Sequence, residues 1–418
     1  MYHPVRMTCT FFLLALTTNG AAASAISDAA DSAAAVSALK AYLSTERAQR
    51  PPLADQRFAT VPLSKADAAA AAELLRDDHR ARIRAERAEE MKARLLTYDG
   101  KKMPFYYRVF GAQPANGRSL YISLHGGGGA PTHVNDRQWE NQKRLYAPQE
   151  GVYLVPRAPT DSWNLWHQGH IDPMFHRLIE NLVVFERVDP NRVYLFGYSA
   201  GGDGVFQLAP RMADSLAAAS MMAGHPNETS PLALRNLPFS LHVGERDGAY
   251  NRNKIAGQWK ERLAKLAETD PKGYPHWAKI YKGKGHWLNR EDAAALPWMA
   301  QFTRNRFPDR VVWKQDDVTH NRFYWLAVAD DQCKTRSEVI VEREGQRFEV
   351  EKCDVDSLTL LLSDEFVDLD RPILVAVDGQ LRCERVVRRT IGTLSSTLAE
   401  RGDPSMMFSA KVVVDTTR

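Results

Sequence analysis

The sequence predicts an α/β protein: a mostly parallel sheet with helices on both faces, after a charged N-terminal helical segment and before a small β-sandwich-like domain. Three observations carry that prediction. Apolar, β-prone runs alternate with helical stretches from about residue 97 to residue 310, the pattern of βαβ units. The alternation stops near Phe307-Pro308-Asp309-Arg310, and short β-like runs follow one another from there on. One run, Val193-Tyr194-Leu195-Phe196, leads directly into Gly197-Tyr198-Ser199-Ala200-Gly201, a strand that ends in a sharp turn able to open a helix.

The 418 residues suffice for one large domain and a smaller one, and 44% hydrophobic with 25% charged content is ordinary for a globular chain. A net charge of +4, with Lys and Arg spread along the chain, leaves no electrostatic footprint for a nucleic-acid partner. Residues 1–25 read as a cleavable signal peptide. Arg6 supplies the positive start and Phe11-Phe12-Leu13-Leu14-Ala15-Leu16 the apolar core, and the small residues that follow offer cleavage after Ala23 or Ala25. That core is too short to span a bilayer, so the expected location is periplasmic or secreted, with no stable membrane anchor.

Residues 26–96 form the expected N-terminal helical segment. Within it, residues 66–96 read as one long charged helix on the outside of the main domain, and the sign-alternating run 80–92 as its solvated face. Residues 97–310 hold the predicted catalytic domain, with strands at 104–110, 120–124, 152–155, 192–196, 217–222, 239–243 and 278–281. Helices are expected at 136–146, 175–188, 201–212, 255–268 and 290–301. Residues 311–418 read as an antiparallel β-rich domain with one helix at 391–401 and a hairpin turn at Val377-Asp378-Gly379-Gln380. After export, Cys333, Cys353 and Cys383 remain. Either Cys333–Cys353 forms a disulfide or all three stay free, and none has metal-site spacing.

Four stretches carry chemistry, each after its own predicted strand. Ser199 stands at the apex of Gly197-Tyr198-Ser199-Ala200-Gly201, where the flanking glycines let strand and helix approach closely. His125-Gly126-Gly127-Gly128-Gly129 supplies backbone N–H groups that would hold an oxyanion together with the N–H of Ala200. Gly127 is the first candidate from that loop and Gly128 the next. Gly244-Glu245-Arg246-Asp247 brings a carboxylate to orient a histidine, Asp247 first and Glu245 as fallback. Gly283-Lys284-Gly285-His286-Trp287 brings the general base, His286. No metal and no cofactor is required by this set.

Residues 97 to about 307 resemble an α/β-hydrolase, and within that fold the secreted bacterial esterases related to polyhydroxybutyrate depolymerases, feruloyl esterases and prolyl-oligopeptidase-like hydrolases. The resemblance implies a serine hydrolase in which Ser199, His286 and Asp247 form a triad with Gly127 and Ala200 as the oxyanion hole. It departs from polyhydroxybutyrate depolymerases in having Gly127 where those usually carry cysteine, and from dienelactone hydrolases in having serine at the elbow. The implied activity is hydrolysis of a small-molecule or polymeric carboxylic ester. An oligopeptidase is the alternative, although the roughly 70 mature residues before Thr97 cannot form a β-propeller of about 40–50 residues per blade. A non-catalytic glycan- or polymer-binding envelope protein is a further alternative.

Trp163, Trp166 and His167 follow the predicted strand at 152–155, and Tyr198 and Trp287 adjoin the predicted triad. All five are candidate substrate contacts in an aromatic cleft, unless the tryptophans only pack their long loop. His170, Asp172 and His176 have metal-like spacing but read better as a helix start capped by Asp172. His225 follows the next strand but one and is left unassigned.

Overall fold

The computed structural model describes residues 19–417. The expected signal segment therefore lies outside the described residues up to residue 18, and the first helix, α1 (Asn19–Ser44), covers the remainder. None of the described helices is long and apolar enough to cross a membrane.

An eight-stranded sheet organises the chain, made of β1 (Leu95–Tyr98), β2 (Lys101–Phe110), β3 (Arg118–Leu124), β4 (Gly151–Pro156), β5 (Val188–Tyr198), β6 (Ala218–Met222), β7 (Phe239–Gly244) and β8 (His276–Tyr281). Its order is β1-β2-β4-β3-β5-β6-β7-β8. β2 runs antiparallel to both of its neighbours, and β4 through β8 are joined by parallel pairings. Successive residues of the central strands alternate between two apolar layers. Leu120, Ile122, Val193 and Leu195 face one, and Tyr121, Tyr194 and Phe196 face the other. Burial on both faces is why these strands read as predominantly apolar runs. β1 was not anticipated. Its four residues follow Arg94, which closes the preceding helix in a left-handed conformation, and only Leu96 among them is buried.

The helices are α2 (Lys65–Ala93), α3 (Thr132–Leu145), α4 (Ile171–Phe185), α5 (Ala200–Arg211), α6 (Arg252–Thr269) and the short α7 (Ala295–Met299). α2 is capped by Ser64, whose hydroxyl accepts the Asp67 N–H at 3.1 Å. Its charged run is not a wholly solvated face. Glu90 pairs with Arg177 of α4 at 2.7 Å, and Arg87 pairs with Glu180. Asp172 does not cap α4 either. It is fully buried, paired with Arg211 at 2.9 Å and with His320 Nε2 at 2.8 Å, so it ties α4 to α5 and to the C-terminal part. The predicted helix at 290–301 is a 3-10 turn followed by α7.

From Arg310 onward a five-stranded and a four-stranded sheet pack around Trp325, Phe348, Phe366 and Phe408. The strands Arg347–Cys353 and Ile373–Val377 pair in parallel, which corrects the purely antiparallel expectation. Asp378 and Gly379 both have positive φ, 49° and 77°, the geometry of the two-residue hairpin turn expected there. α8 (Ile391–Arg401) caps this part, and Leu75 of α2 packs with Ile391, Leu394 and Leu398 of α8 in a separate apolar cluster. Trp313, Phe323, Tyr324 and Trp325 are all buried, and Arg304–Asp403 and Arg401–Asp214, each at 2.7 Å, bridge the seam to the large sheet. Cys333, Cys353 and Cys383 are free thiols.

Candidate active site

β5 ends at Tyr198 and α5 begins at Ala200, leaving Ser199 alone at the turn with φ 59° and ψ −122°. A serine in that region is strained, and surrounding contacts must hold it there. Its N–H donates to Met222 O at 2.9 Å, and its carbonyl accepts the Asp203 N–H at 3.0 Å. Gly201 has no alternative: a Cβ there would lie 2.2 Å from Leu124 O, and one on Gly197 would lie 2.4 Å from Gly201 O. Strand and helix cross too closely for any side chain at either position.

His286, on the loop after β8, places Nε2 3.0 Å from Ser199 Oγ and Nδ1 2.8 Å from Asp247 Oδ2. A carboxylate only accepts, so Nδ1 carries the proton and Nε2 is free to accept from the serine hydroxyl. Asp247 is buried while the His286 side chain is 43% exposed, so the acid sits behind the imidazole and the imidazole faces the opening. Glu245, the fallback acid, is exposed and accepts the Gly283 N–H at 2.8 Å, which braces the histidine's loop from outside.

Tyr198 has a role that its candidate status as a substrate contact did not capture. Its hydroxyl donates to the His286 carbonyl and accepts the buried Leu288 N–H at 3.0 Å, strapping the histidine loop to the residue before Ser199. Burial pushes its phenol above the ordinary range, so it stays protonated and able to donate.

The glycine loop after β3 is shaped by His125 and Asn135. His125 is fully buried. Its Nδ1 faces Gly126 O at 2.7 Å and its Nε2 accepts the Ala158 N–H at 3.1 Å, an arrangement that only the neutral ring with its proton on Nδ1 satisfies. Burial accordingly lowers its pKa to about 4. Asn135 Oδ1 accepts the Gly128 N–H at 2.7 Å, so Gly128 is committed inside the protein and is withdrawn as an oxyanion donor. Gly126 and Gly127 line the cavity beside Ser199, and Ala200 occupies the first helical position, where the N–H has no intrahelical acceptor.

That cavity, about 790 Å³, is also walled by Tyr198, His286, Trp287, Arg144 and Arg290. Trp287 is half-exposed and packs 5.7 Å from the Tyr198 ring. The other aromatic candidates lie elsewhere. Trp166 is completely buried, donating from Nε1 to His125 O at 3.0 Å, so it supports the glycine loop from beneath and cannot touch substrate. Trp163 is 66% exposed over Gly129, with its ring 5.6 Å from that of His167, and neither lines the cavity. His167 is held neutral by burial, which lowers its pKa to about 4, and its carbonyl accepts from Arg211. The loop turns this way because Arg157 grips Asp136 at 2.9 Å and Asp161 at 2.5 Å, folding residues 157–167 under the glycine loop. His225 is a turn residue whose Nδ1 accepts the Asn227 N–H at 2.9 Å and whose N–H donates to Asp203 at 2.6 Å.

Ser199 follows β5, Asp247 follows β7 and His286 follows β8 in a sheet ordered 1-2-4-3-5-6-7-8 with only the β2 pairings and the β1 edge antiparallel. The fold is that of an α/β-hydrolase. No family model matches the chain. A curated relative, a bifunctional acetylxylan esterase/xylanase of Neocallimastix patriciarum, is 28% identical over 167 residues, 38% of this chain and 24% of that one. The chain thus spans about a quarter of that relative's length. Among solved structures, a thermostable esterase is 19% identical with a TM-score of 0.39, covering 50% of this chain and 62% of that one. A poly(3-hydroxybutyrate) depolymerase from Bordetella parapertussis is 16% identical with a TM-score of 0.36, covering 53% and 93%. A ferulic acid esterase is 15% identical with a TM-score of 0.34, covering 50% and 95%.

Proposed function

We propose that this protein is an exported serine esterase that hydrolyses a carboxylic ester through an acyl-enzyme, with residues 97–310 as its catalytic unit. The observation that carries the proposal is the hydrogen-bonded chain Ser199 Oγ–His286 Nε2 at 3.0 Å and His286 Nδ1–Asp247 Oδ2 at 2.8 Å, at a strained strand-to-helix turn. In that chemistry the Ser199 oxygen attacks the ester carbonyl while His286 Nε2 takes its proton. The buried Asp247 carboxylate stabilises the imidazolium that forms. The carbonyl oxygen gathers negative charge, and the N–H groups of Gly127 and Ala200 are its donors. His286 then returns the proton to the departing alcohol, and a water deprotonated by the same nitrogen releases the acid.

The curated relative's name, acetylxylan esterase, supports an ester as the substrate. Burial of Trp313, Phe323, Tyr324 and Trp325 weighs against a C-terminal glycan-binding platform, because those rings fill the seam between the sheets. The test is hydrolysis of short p-nitrophenyl esters by the purified protein and by Ser199→Ala. The wild type turns them over and reacts with a fluorophosphonate at Ser199, whereas the variant does neither. Equal rates in the two proteins refute the proposal.

A further inference from the structure

The chemistry of the cavity wall narrows the substrate. Beyond the reacting groups, the cavity beside Ser199 is bounded by Gln138, Asn141 and Arg144 of α3 and by Trp287 and Arg290 of the loop after β8. No aspartate or glutamate is among its lining residues. Arg290 is held in a left-handed conformation, φ 64°, directly after Asn289 at 54°. Elsewhere the buried or half-buried arginines Arg157, Arg177, Arg211, Arg304 and Arg389 each face a carboxylate within 3 Å. Arg144 and Arg290, both solvent-exposed residues of the cavity lining, have no carboxylate partner among the described residues.

The acids nearest them in sequence are engaged with other groups. Glu140 pairs with Lys143 at 2.5 Å, Glu291 pairs with Lys284 at 2.8 Å, and Asp292 accepts from the Tyr146 hydroxyl. Asp292 is buried, and desolvation pushes its carboxyl above the ordinary range, against a smaller opposing pull from Arg290. Two solvent-exposed guanidinium groups beside the cavity, with no carboxylate among its lining residues, give its opening a positive, salt-screened potential where a bound molecule must lie. The planar guanidinium fork matches a carboxylate in two-point hydrogen bonding.

We propose that the ester taken by this site carries a carboxylate of its own, held by Arg144 and Arg290 while the ester carbonyl lies at Ser199. Trp287 packs against the apolar segment between the two groups. This rests on the serine-esterase reading above, and the experiment separates the two. Two matched pairs are used with the full-length protein. p-Nitrophenyl hemiglutarate against p-nitrophenyl valerate places the charge on the acyl side, and 4-acetoxybenzoate against its methyl ester places it on the alcohol side.

The quantity read is the ratio of kcat/KM for the charged ester to that for the neutral one, which cancels any general loss of folded enzyme. In the wild type that ratio exceeds one for at least one pair and falls as salt is added. In Arg144→Gln/Arg290→Gln it drops by about tenfold or more, the loss expected for a charge-assisted contact. Arg144→Lys/Arg290→Lys, which keeps the charge, retains part of the preference. Ser199-dependent hydrolysis of the neutral esters with the same ratio in wild type and double variant overturns the carboxylate inference and leaves the esterase reading standing. No hydrolysis of any of the four esters overturns both.

Discussion

Replacing Tyr198 with phenylalanine removes one oxygen and tests how His286, the proposed general base, is held. In the native protein that oxygen donates to the His286 carbonyl and accepts the Leu288 N–H at 3.0 Å, with Leu288 fully buried. The ring itself packs 5.8 Å from the His286 ring and 5.7 Å from the Trp287 ring, and phenylalanine keeps those contacts. What changes is that two backbone groups lose their partner. The Leu288 N–H belongs to a fully buried residue and costs about 1–3 kcal/mol when unsatisfied, whereas water can reach the carbonyl of the exposed His286, so the variant loses about 1–3 kcal/mol of stability. The consequence for catalysis is larger. With its strap gone, the loop carrying His286 relaxes, and misplacement of a reacting group by about 1 Å costs on the order of 100-fold in rate. We therefore expect kcat on a p-nitrophenyl ester to fall by about two orders of magnitude with KM little changed, because the cavity wall keeps its aromatic ring. Stopped and steady-state hydrolysis gives kcat and KM, and a urea midpoint gives stability. A variant with wild-type kcat and an unchanged midpoint refutes the strap.

Asp247→Asn lowers kcat by about 10³–10⁴, because an amide cannot stabilise the imidazolium and favours the wrong tautomer, whereas Glu245→Gln, which still accepts the Gly283 N–H, stays within a few-fold in the same ester assay. Asn135→Ala leaves the Gly128 N–H without its acceptor and is expected to cost about 1–3 kcal/mol on a denaturant curve and to slow hydrolysis through movement of the adjacent Gly127. Acid also acts through buried histidines. Burial lowers His125, His167 and His176 to about 4 and His242 to about 3, against about 6.5 for a free imidazole. Since these folded-state values lie below the unfolded one, their stabilisation is complete above about pH 6.5 and is lost as pH falls toward 4, each group adding a slope approaching about 1.4 kcal/mol per pH unit. Denaturation midpoints that do not decline between about pH 7 and about pH 5 refute it.

The elbow was legible because its demands are local. Gly197 and Gly201 are required by atoms within a few residues or on the adjoining strand, such as Leu124 O, and any sequence that makes this turn must show them. The alternating strands and helices were equally plain, since burial on both sheet faces makes the buried stretches of β3, β5, β6 and β7 predominantly apolar. Only Ser123, Ser220, Ser240 and His242 are polar interruptions within residues 120–124, 193–198, 218–222 and 239–244. β1 escaped notice because only Leu96 of its four residues is buried, too little to mark a strand beside a long charged helix. The parallel pairing of Arg347–Cys353 with Ile373–Val377 was hidden for another reason: strand direction depends on the connection's path and leaves no mark in the residue pattern.

Order along the chain determined which residues could react: a serine after one strand, an acid after a later one and a histidine after the last, each at the carboxyl end of a parallel sheet where loops converge. Tertiary contacts decided what the remaining residues do. Trp166 and His167 share a loop with Trp163, yet the grip of Arg157 on Asp136 and Asp161 turns that loop beneath His125 and away from the cavity. Gly127 and Gly128 are indistinguishable in sequence, and only the reach of Asn135 from α3 commits one of them inward. Tyr198 is joined to Leu288 by a single hydrogen bond across 90 positions. Backbone turns are governed by neighbours along the chain and so appear in its sequence. Hydrogen bonds between distant segments depend on where folding places both partners, and no local pattern records that distance.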